Sequence, residues 1–280
     1  MSNLTIDSTI MLNNRVRIPL IGFGCAEITP WASEQERIIR TAIDAGYRLL
    51  DTAIAYETEH GVGNAWRNSG IDREKFFIAT KVPPGTIRGG RKEIVRSFEQ
   101  SLRNLRTDYV DLYLIHWPPQ GKIQEAWEIL EYLYYSGRTR AIGISNLNRR
   151  HWLEVMATCE VMPHVQQDEF HPYRMNEYNR IFCEQHNIHF EAFSPVARGL
   201  LRENPILKQL AEKYNKNTFQ IILRWDLQHG VTAIPRSSNP KHIADNIDLY
   251  DFELTEEEVA MIDSLNKEGQ INRDIDNFNF

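Results

Sequence analysis

YVDLYLIH (residues 109–116) has the composition of a strand buried on both faces, and it ends in a histidine. Near-continuous apolar runs of this length belong to parallel sheets, whose two faces are both covered by helices. Two upstream runs have the same form. YRLLD (47–51) ends in Asp51, with Tyr56 five residues further on, and FFIATK (76–81) ends in Lys81. Buried strands seldom end in ionisable groups three times in succession. If these strands are parallel neighbours, Asp51, Tyr56, Lys81 and His116 converge at one edge of one sheet.

Outward from these runs, strand-type and helix-type segments alternate. The opening TIDSTIMLNNRVRIP reads as a β-hairpin turning at Asn13-Asn14. PLIGFG (19–24) is a first strand, followed by a helix over 34–45 that stops at Gly46. The three runs above supply strands two to four. Helices over 59–69, 91–105 and 122–135 separate and follow them. RAIGIS (140–145), HVQQDEF (164–170), IHFEAFS (188–194) and VTAIP (231–235) are strands five to eight. Further helical patterns fall at 148–158, 176–186, 205–214, 218–228, 239–247 and 255–265. Eight β/α units in strict alternation imply a (β/α)8 TIM barrel with an N-terminal hairpin, and residues 1–280 read as one domain. An open doubly wound sheet is the alternative, with fewer strands as a rule. In such barrels the site lies at the C-terminal ends of the strands, where Asp51, Lys81 and His116 fall.

Composition narrows the function. Of 280 residues, 42% are hydrophobic and 25% charged, with a formal charge of −6 and no long Lys/Arg run. That balance argues against a nucleic-acid partner, which needs a basic face. Arg88, Arg91 and Lys92 form a short basic cluster that reads as a solvated face. Cys25, Cys159 and Cys183 lie far apart without metal-ligand spacing, so no metal is expected and reduced thiols in the cytoplasm are the simplest reading. No apolar run reaches the ~20 residues of a membrane span, and MSNLTIDSTI lacks the features of a secretory signal. A monomer or weak dimer is expected.

The four strand-end residues suit one chemistry. When a hydride reduces a carbonyl, the oxygen gains negative charge and needs a proton. Tyrosine donates well if its pKa falls from ~10 toward the working pH. The Lys81 ammonium would lower it, Asp51 would hold Lys81 charged, and His116 could donate to the substrate oxygen. Singly, each residue has a plainer reading: a turn cap, a wall aromatic, a solvated lysine, a core histidine. Their joint placement favours catalysis.

The wider pattern resembles the aldo-keto reductase family. The blocks GYRLLDTAIAYETEHGVG (46–63), ATKV (79–82), LIHWP (114–118), GISN (143–146), VQQDEFHPY (165–173), FSP (193–195) and IPRSSNPKHIADN (234–246) carry the resemblance, which runs from about Arg17 to the C-terminus. It implies the barrel above and an NAD(P)H-dependent reductase of aldehydes or ketones, keto-sugars among them, with Tyr56 as proton donor. It implies that Ser145, Asn146 and Gln167 bind the nicotinamide carboxamide, with Asp51 and the Gly24-Cys25 turn beside it. Cys25 also reads as a small buried filler. Phe193 would stack on the ring where tyrosine is more usual, and Ser194 would lie over the pyrophosphate. Arg236, Ser237, Ser238 and Asn239 would hold the adenosine phosphate, with His242 at the 2′-phosphate position and Asp245 and Asn246 at the adenine and ribose. His242 stands where NADPH-preferring members carry arginine, so NADP(H) is the expected cofactor with NAD(H) use also open. Ala26 stands where many animal members have tryptophan. With Tyr56, His116 and Trp117, and with Trp31 as a further wall, it would border an open substrate pocket. The short loop ARGLLRENP and the tail NRDIDNFNF leave little to close it. This is similar to the bacterial branch that includes the 2,5-diketo-D-gluconate reductases. The competing reading is a nucleotide-sensing or scaffold barrel with little catalysis, against which the complete tetrad stands.

Overall fold

The computed structural model describes residues 4–272. A hairpin comes first, β1 (Thr9–Met11) pairing antiparallel with β2 (Arg17–Pro19). Its turn reaches one residue beyond the expected Asn13-Asn14: Arg15 takes φ 68°, the left-handed residue that closes a three-residue loop. The barrel strands are β3 (Gly22–Gly24), β4 (Leu49–Asp51), β5 (Phe77–Val82), β6 (Val110–Ile115), β7 (Thr139–Ser145), β8 (Val165–Glu169), β9 (His189–Phe193) and β10 (Thr232–Ala233). They pair in parallel in sequence order. The Ile21–Ala233 bridge and the Gly24 N–H to Pro235 C=O bond of 3.0 Å close the ring. The eight strands and the hairpin are those read from the sequence.

Between them run α1 (Ala32–Ala45), α2 (Glu59–Arg67), α3 (Pro84–Arg88), α4 (Arg91–Leu105), α5 (Ile123–Tyr135) and α6 (Arg149–Met156). After β8 come α7 (Glu177–Gln185), α8 (Pro205–Tyr214), α9 (Thr218–Gln228), α10 (Pro240–Asp245) and α11 (Glu256–Asp263). The α4 helix shows why they form. Ile94, Phe98, Leu102 and Leu105 recur every three or four residues and are all buried, and Arg106 ends the helix at φ 55°. The α9 helix starts at a reciprocal cap in which Asn217 and Gln220 satisfy each other's backbone N–H groups. The sequence reading left α3 as loop.

Two apolar cores follow from strand alternation. Outward side chains such as Leu50, Ile78, Tyr113 and Ile142 pack under the helices. Inward ones (Leu49, Phe77, Ala79, Leu112, Leu114, Ala141, Val165) fill the barrel with Leu12 and Ile18 of the hairpin, which plugs its N-terminal end. Inside the barrel Gly143 is obligatory, because a Cβ there would sit 2.2 Å from the Val165 carbonyl oxygen. Among the described residues, no helix is long and apolar enough to cross a membrane.

Candidate active site

Each inward row continues upward into polar residues at the C-terminal end. On β4, Leu49 is followed inward by Asp51, on β5 Ala79 by Lys81, and beyond β6 Leu114 by His116. The period of two turns the three ionisable groups inward, and the parallel pairing of the strands brings their ends to one end of the barrel. Tyr56 arrives differently, on a one-turn 3-10 helix (Ile54–Tyr56) that Glu57 ends at φ 57°.

The four residues are in mutual contact. Lys81, with no exposed surface, donates to Asp51 Oδ1 and Oδ2 at 2.6 and 2.7 Å and to the Thr52 carbonyl at 3.0 Å. Its Nζ lies 5.0 Å from the centre of the Tyr56 ring. Tyr56 Oη is 3.1 Å from His116 Nε2, the two rings meeting edge to face. A buried ion pair therefore sits directly behind a tyrosine–histidine pair that opens toward solvent.

The electrostatics differ in one respect from the expectation. Burial raises the Tyr56 pKa and outweighs the lowering by Lys81, so the phenol stays protonated. Asp51, 2.6 Å from the ammonium, adds to the effect of burial by offsetting part of the Lys81 field. Burial also works against the Lys81 ammonium, but Asp51 and Tyr56 overcome it and hold its pKa above the ordinary value. Burial, then the Lys81 charge, push His116 down to about 3, so its ring is neutral and has one N–H to give.

The expected cofactor residues surround this group. Ser145 and Asn146 are buried at the end of β7, with Asn146 at φ 60°. The Asn146 Nδ2 donates to the His116 carbonyl and to Ser145 Oγ, both at 2.9 Å. Gln167 Nε2 donates to Asp51 Oδ2 at 2.9 Å and to Glu191 Oε2 at 3.1 Å. Both of its N–H groups are committed, which leaves the amide oxygen for a ligand. Phe193 is half-buried at the mouth, and Ser194 follows at φ 51°. These residues fit a carboxamide-bearing ring: a partly open aromatic face lies on β9, with the amide oxygen of Gln167 and the Ser145 hydroxyl at neighbouring strand ends.

Other predicted positions are placed variously. Gly24 faces the Ile234 carbonyl so closely that a Cβ would lie 2.9 Å from it. Cys25 has no exposed surface, its thiol lies 3.8 Å from the Phe23 carbonyl, and burial with the Asp51 charge pushes its pKa up; this is the placement of a filler. Ala26 and Trp117 are half-buried, whereas Trp31 is 66% exposed at the start of α1. Arg236 is turned onto the β3 loop, donating to the Ala26 and Glu27 carbonyls at 2.9 and 3.0 Å and pairing with Glu27 Oε2 at 3.2 Å. Ser237 is half-buried, Ser238 and His242 are exposed on the approach to α10 and in it, and Asn246 is buried at its end. Of the tail NRDIDNFNF, Arg273 onward lies outside the described residues.

Sequence reasoning missed Glu191. It occupies the inward row of β9 between His189 and Phe193, has no exposed surface, and reaches Gln167. The signal was in IHFEAFS: a glutamate in step with Phe193 must face inward in any register that turns Phe193 to the mouth.

Comparison with known proteins gives a consistent result. Residues 20–267 match the model of the Aldo/keto reductase family. The chain is 42% identical to a glyoxal reductase of Bacillus subtilis over 95% of its own length and 96% of the relative's. It is also 42% identical to a 9,11-endoperoxide prostaglandin H2 reductase of Trypanosoma cruzi, over 96% and 95%. A crystal structure of a Bombyx mori aldo-keto reductase in complex with NADP superposes with a TM-score of 0.88 at 32% identity, covering 98% of this chain and 97% of that one.

Proposed function

We propose, since the chain belongs to the aldo/keto reductase family, that it reduces small aldehydes and ketones with Tyr56 as proton donor and NADP(H) as the usual cofactor. The carrying observation is the contact chain Asp51–Lys81–Tyr56–His116, in which a protonated phenol and a neutral imidazole share the open side of a buried ion pair. The bound cofactor would supply the hydride. The chain's own residues do the rest. With its proton on Nε2, His116 donates to the carbonyl oxygen and holds it beside Tyr56 Oη. Tyr56 passes its proton to that oxygen as negative charge develops. The Lys81 ammonium stabilises the phenolate left behind, more strongly than it could in water because the surroundings are dry. Asp51 keeps Lys81 charged and fixed.

Phe193, Gln167, Ser145 and Asn146 would hold the nicotinamide end of the cofactor. Arg236, Ser237, Ser238 and Asn246 would hold the adenosine end, which requires Arg236 to leave Glu27. The exposed His242 offers a 2′-phosphate less than an arginine would, which supports NAD(H) as a second cofactor. The half-buried Ala26 leaves the pocket mouth open, in keeping with small polar carbonyl substrates such as dicarbonyls and keto-sugars. A relative named as a glyoxal reductase supports the same substrate class. One chain is expected to suffice for the site, in a monomer or weak dimer working in the cytoplasm.

The test is Tyr56→Phe. Carbonyl reduction should fall by about 10²- to 10⁴-fold, the range for loss of a positioned general acid, while NADPH still quenches tryptophan fluorescence. Near-wild-type turnover in that variant would remove Tyr56 from the mechanism. If no member of an aldehyde, α-keto ester and keto-sugar panel consumes NADPH or NADH that nevertheless binds tightly, a nucleotide-sensing barrel is the better reading.

A further inference from the structure

Glu191 is a carboxyl group with no role in the scheme above and no exposed surface. It lies on the same inward row of β9 as Phe193, one layer deeper, and is in register with Gln167 on one side and Thr232 on the other. Its Oε2 accepts from Gln167 Nε2 at 3.1 Å, and the same nitrogen donates to Asp51 Oδ2 at 2.9 Å. Its Oε1 has no hydrogen-bond partner. Glu59, buried under the helices against the outward face of β5, by contrast has both oxygens satisfied, by Thr80 and Asn104. Glu191 is instead half-connected, and its connection leads to the residue that would hold the carboxamide.

The groups facing it are few. Asp51 on β4 and Lys81 on β5 form the ion pair, and Gln167 on β8 is neutral. On its own strand His189 lies one layer down, bonded to Thr232 at 2.8 Å and depressed by burial to about 4, so it too is neutral. Asp51 and Lys81 already cancel. A second carboxylate would leave this dry interior with a net negative charge and a shared amide pulled between two anions. Burial first, then Asp51, raise Glu191 to about 8, which places its ionisation within a measurable range.

We propose that Glu191 is a positioning residue acting through Gln167, whose neutral form favours the uncharged reduced nicotinamide at Phe193 and whose ionised form favours the cationic oxidised one. This rests on the reading of the strand ends as a nicotinamide site. The sign follows from Coulomb's law: a negative charge one layer beneath the ring attracts a cationic ring and leaves a neutral one little affected. By linkage, binding the oxidised cofactor drives a proton off Glu191, and the chain's preference between cofactor forms changes with pH.

The experiment measures Kd for NADP+ and NADPH by fluorescence quenching from pH 6.5 to 9.5. In the wild type the ratio Kd(NADP+)/Kd(NADPH) should fall by about fivefold or more as pH rises, the scale of an ordinary two-site coupling. In Glu191→Gln the ratio should stay flat, and the proton released on mixing with NADP+ in weak buffer with a pH indicator should vanish. Tyr56 can also titrate, so Tyr56→Phe is the second variant, and there the pH-dependent ratio should persist. A slope that survives in Glu191→Gln, or that disappears in Tyr56→Phe, overturns the proposal. Should Glu191→Gln not fold, Glu191→Asp takes its place, and there the midpoint of the pH-dependent ratio should move; an unmoved midpoint overturns the proposal. Failure of the wild type to bind either cofactor would instead sink the nicotinamide reading on which the proposal stands.

Discussion

Asp51 and Asp111 are both buried aspartates paired with cations near opposite ends of the barrel strands, and the contrast lies in what surrounds them. Asp111, at the N-terminal end of β6, is saturated. It accepts from the Ile78 N–H at 2.9 Å, from Arg73 at 2.8 Å and from Arg140 at 2.7 Å. Arg73 is itself tied to Thr107, Phe76 and Tyr109 and stacks on the Tyr109 ring at 4.2 Å. Asp51, at the C-terminal end, meets a lysine beside a tyrosine and shares an amide with Glu191. Guanidinium partners hold their protons at any working pH, whereas ammonium, phenol and carboxyl groups can exchange them. One end is therefore fixed and the other can titrate.

Removing the cation at each end is the hardest test of this contrast. Lys81→Met should lower carbonyl reduction by about 10²-fold or more, because Tyr56 is left beside an uncompensated Asp51 and becomes a poorer acid. Arg73→Met should instead cost about 3 kcal/mol of stability, the scale for breaking a buried pair, with kcat/KM of the folded enzyme close to wild type. Urea unfolding and steady-state kinetics on both variants check it. If Arg73→Met lost activity without losing stability, the division between the two ends would fail.

Much of this division was legible in the sequence. Strand-end Asp51, Lys81 and His116 came from near-continuous apolar runs that each stop at an ionisable residue, and parallel pairing of neighbouring strands is enough to bring them to one end. The α4, α8 and α9 helices were read at their observed bounds because 3.6-residue periodicity and end signals agreed. The α3 helix was not read, since PPGTIRGG is dense in loop formers; Pro84 fits only because it occupies the first turn, where no N–H bond is needed. Three features depend on contacts across the fold and leave no local pattern. The Tyr56 pKa depends on how fully its hydroxyl is enclosed and how much of the Lys81 field Asp51 cancels. The Glu27–Arg236 pairing joins residues more than two hundred apart in sequence. The third is the partnership of Glu191 with Gln167 and Asp51.

The buried histidines sharpen the comparison through pH. His116 is depressed to about 3, and His189 and His164, deeper in the barrel and at its N-terminal end, to about 4. All three lie below the unfolded value of about 6.5. A base depressed on folding contributes stability that is present above its unfolded pKa and is lost as pH falls through that value toward the folded one. Each histidine should therefore lower stability progressively from about pH 6.5 to the acid side. Because His116 stays neutral in the folded enzyme, kcat/KM for reduction should show no acid limb near pH 6.5. An acid limb there that moves in His116→Gln would mean that the imidazole at the open end is not neutral.

The smallest expected effect concerns the outer rim of the open end, where Arg236 and His242 are exposed. His242 is exposed on α10, and Arg236 is occupied by Glu27. His242→Arg adds a guanidinium that can bond a 2′-phosphate, a charge-assisted interaction of about 1.5–3 kcal/mol in favourable geometry. NADPH affinity should rise by about tenfold, toward the low end of that range because the site is solvated and screened. NADH affinity and unfolding stability should barely change, since the helix face is exposed in either case. Added salt should erode the gain. If NADH binding improved equally, the adenosine end would lie elsewhere, and the assignment of ligand-directed charge to this rim would have to be redrawn.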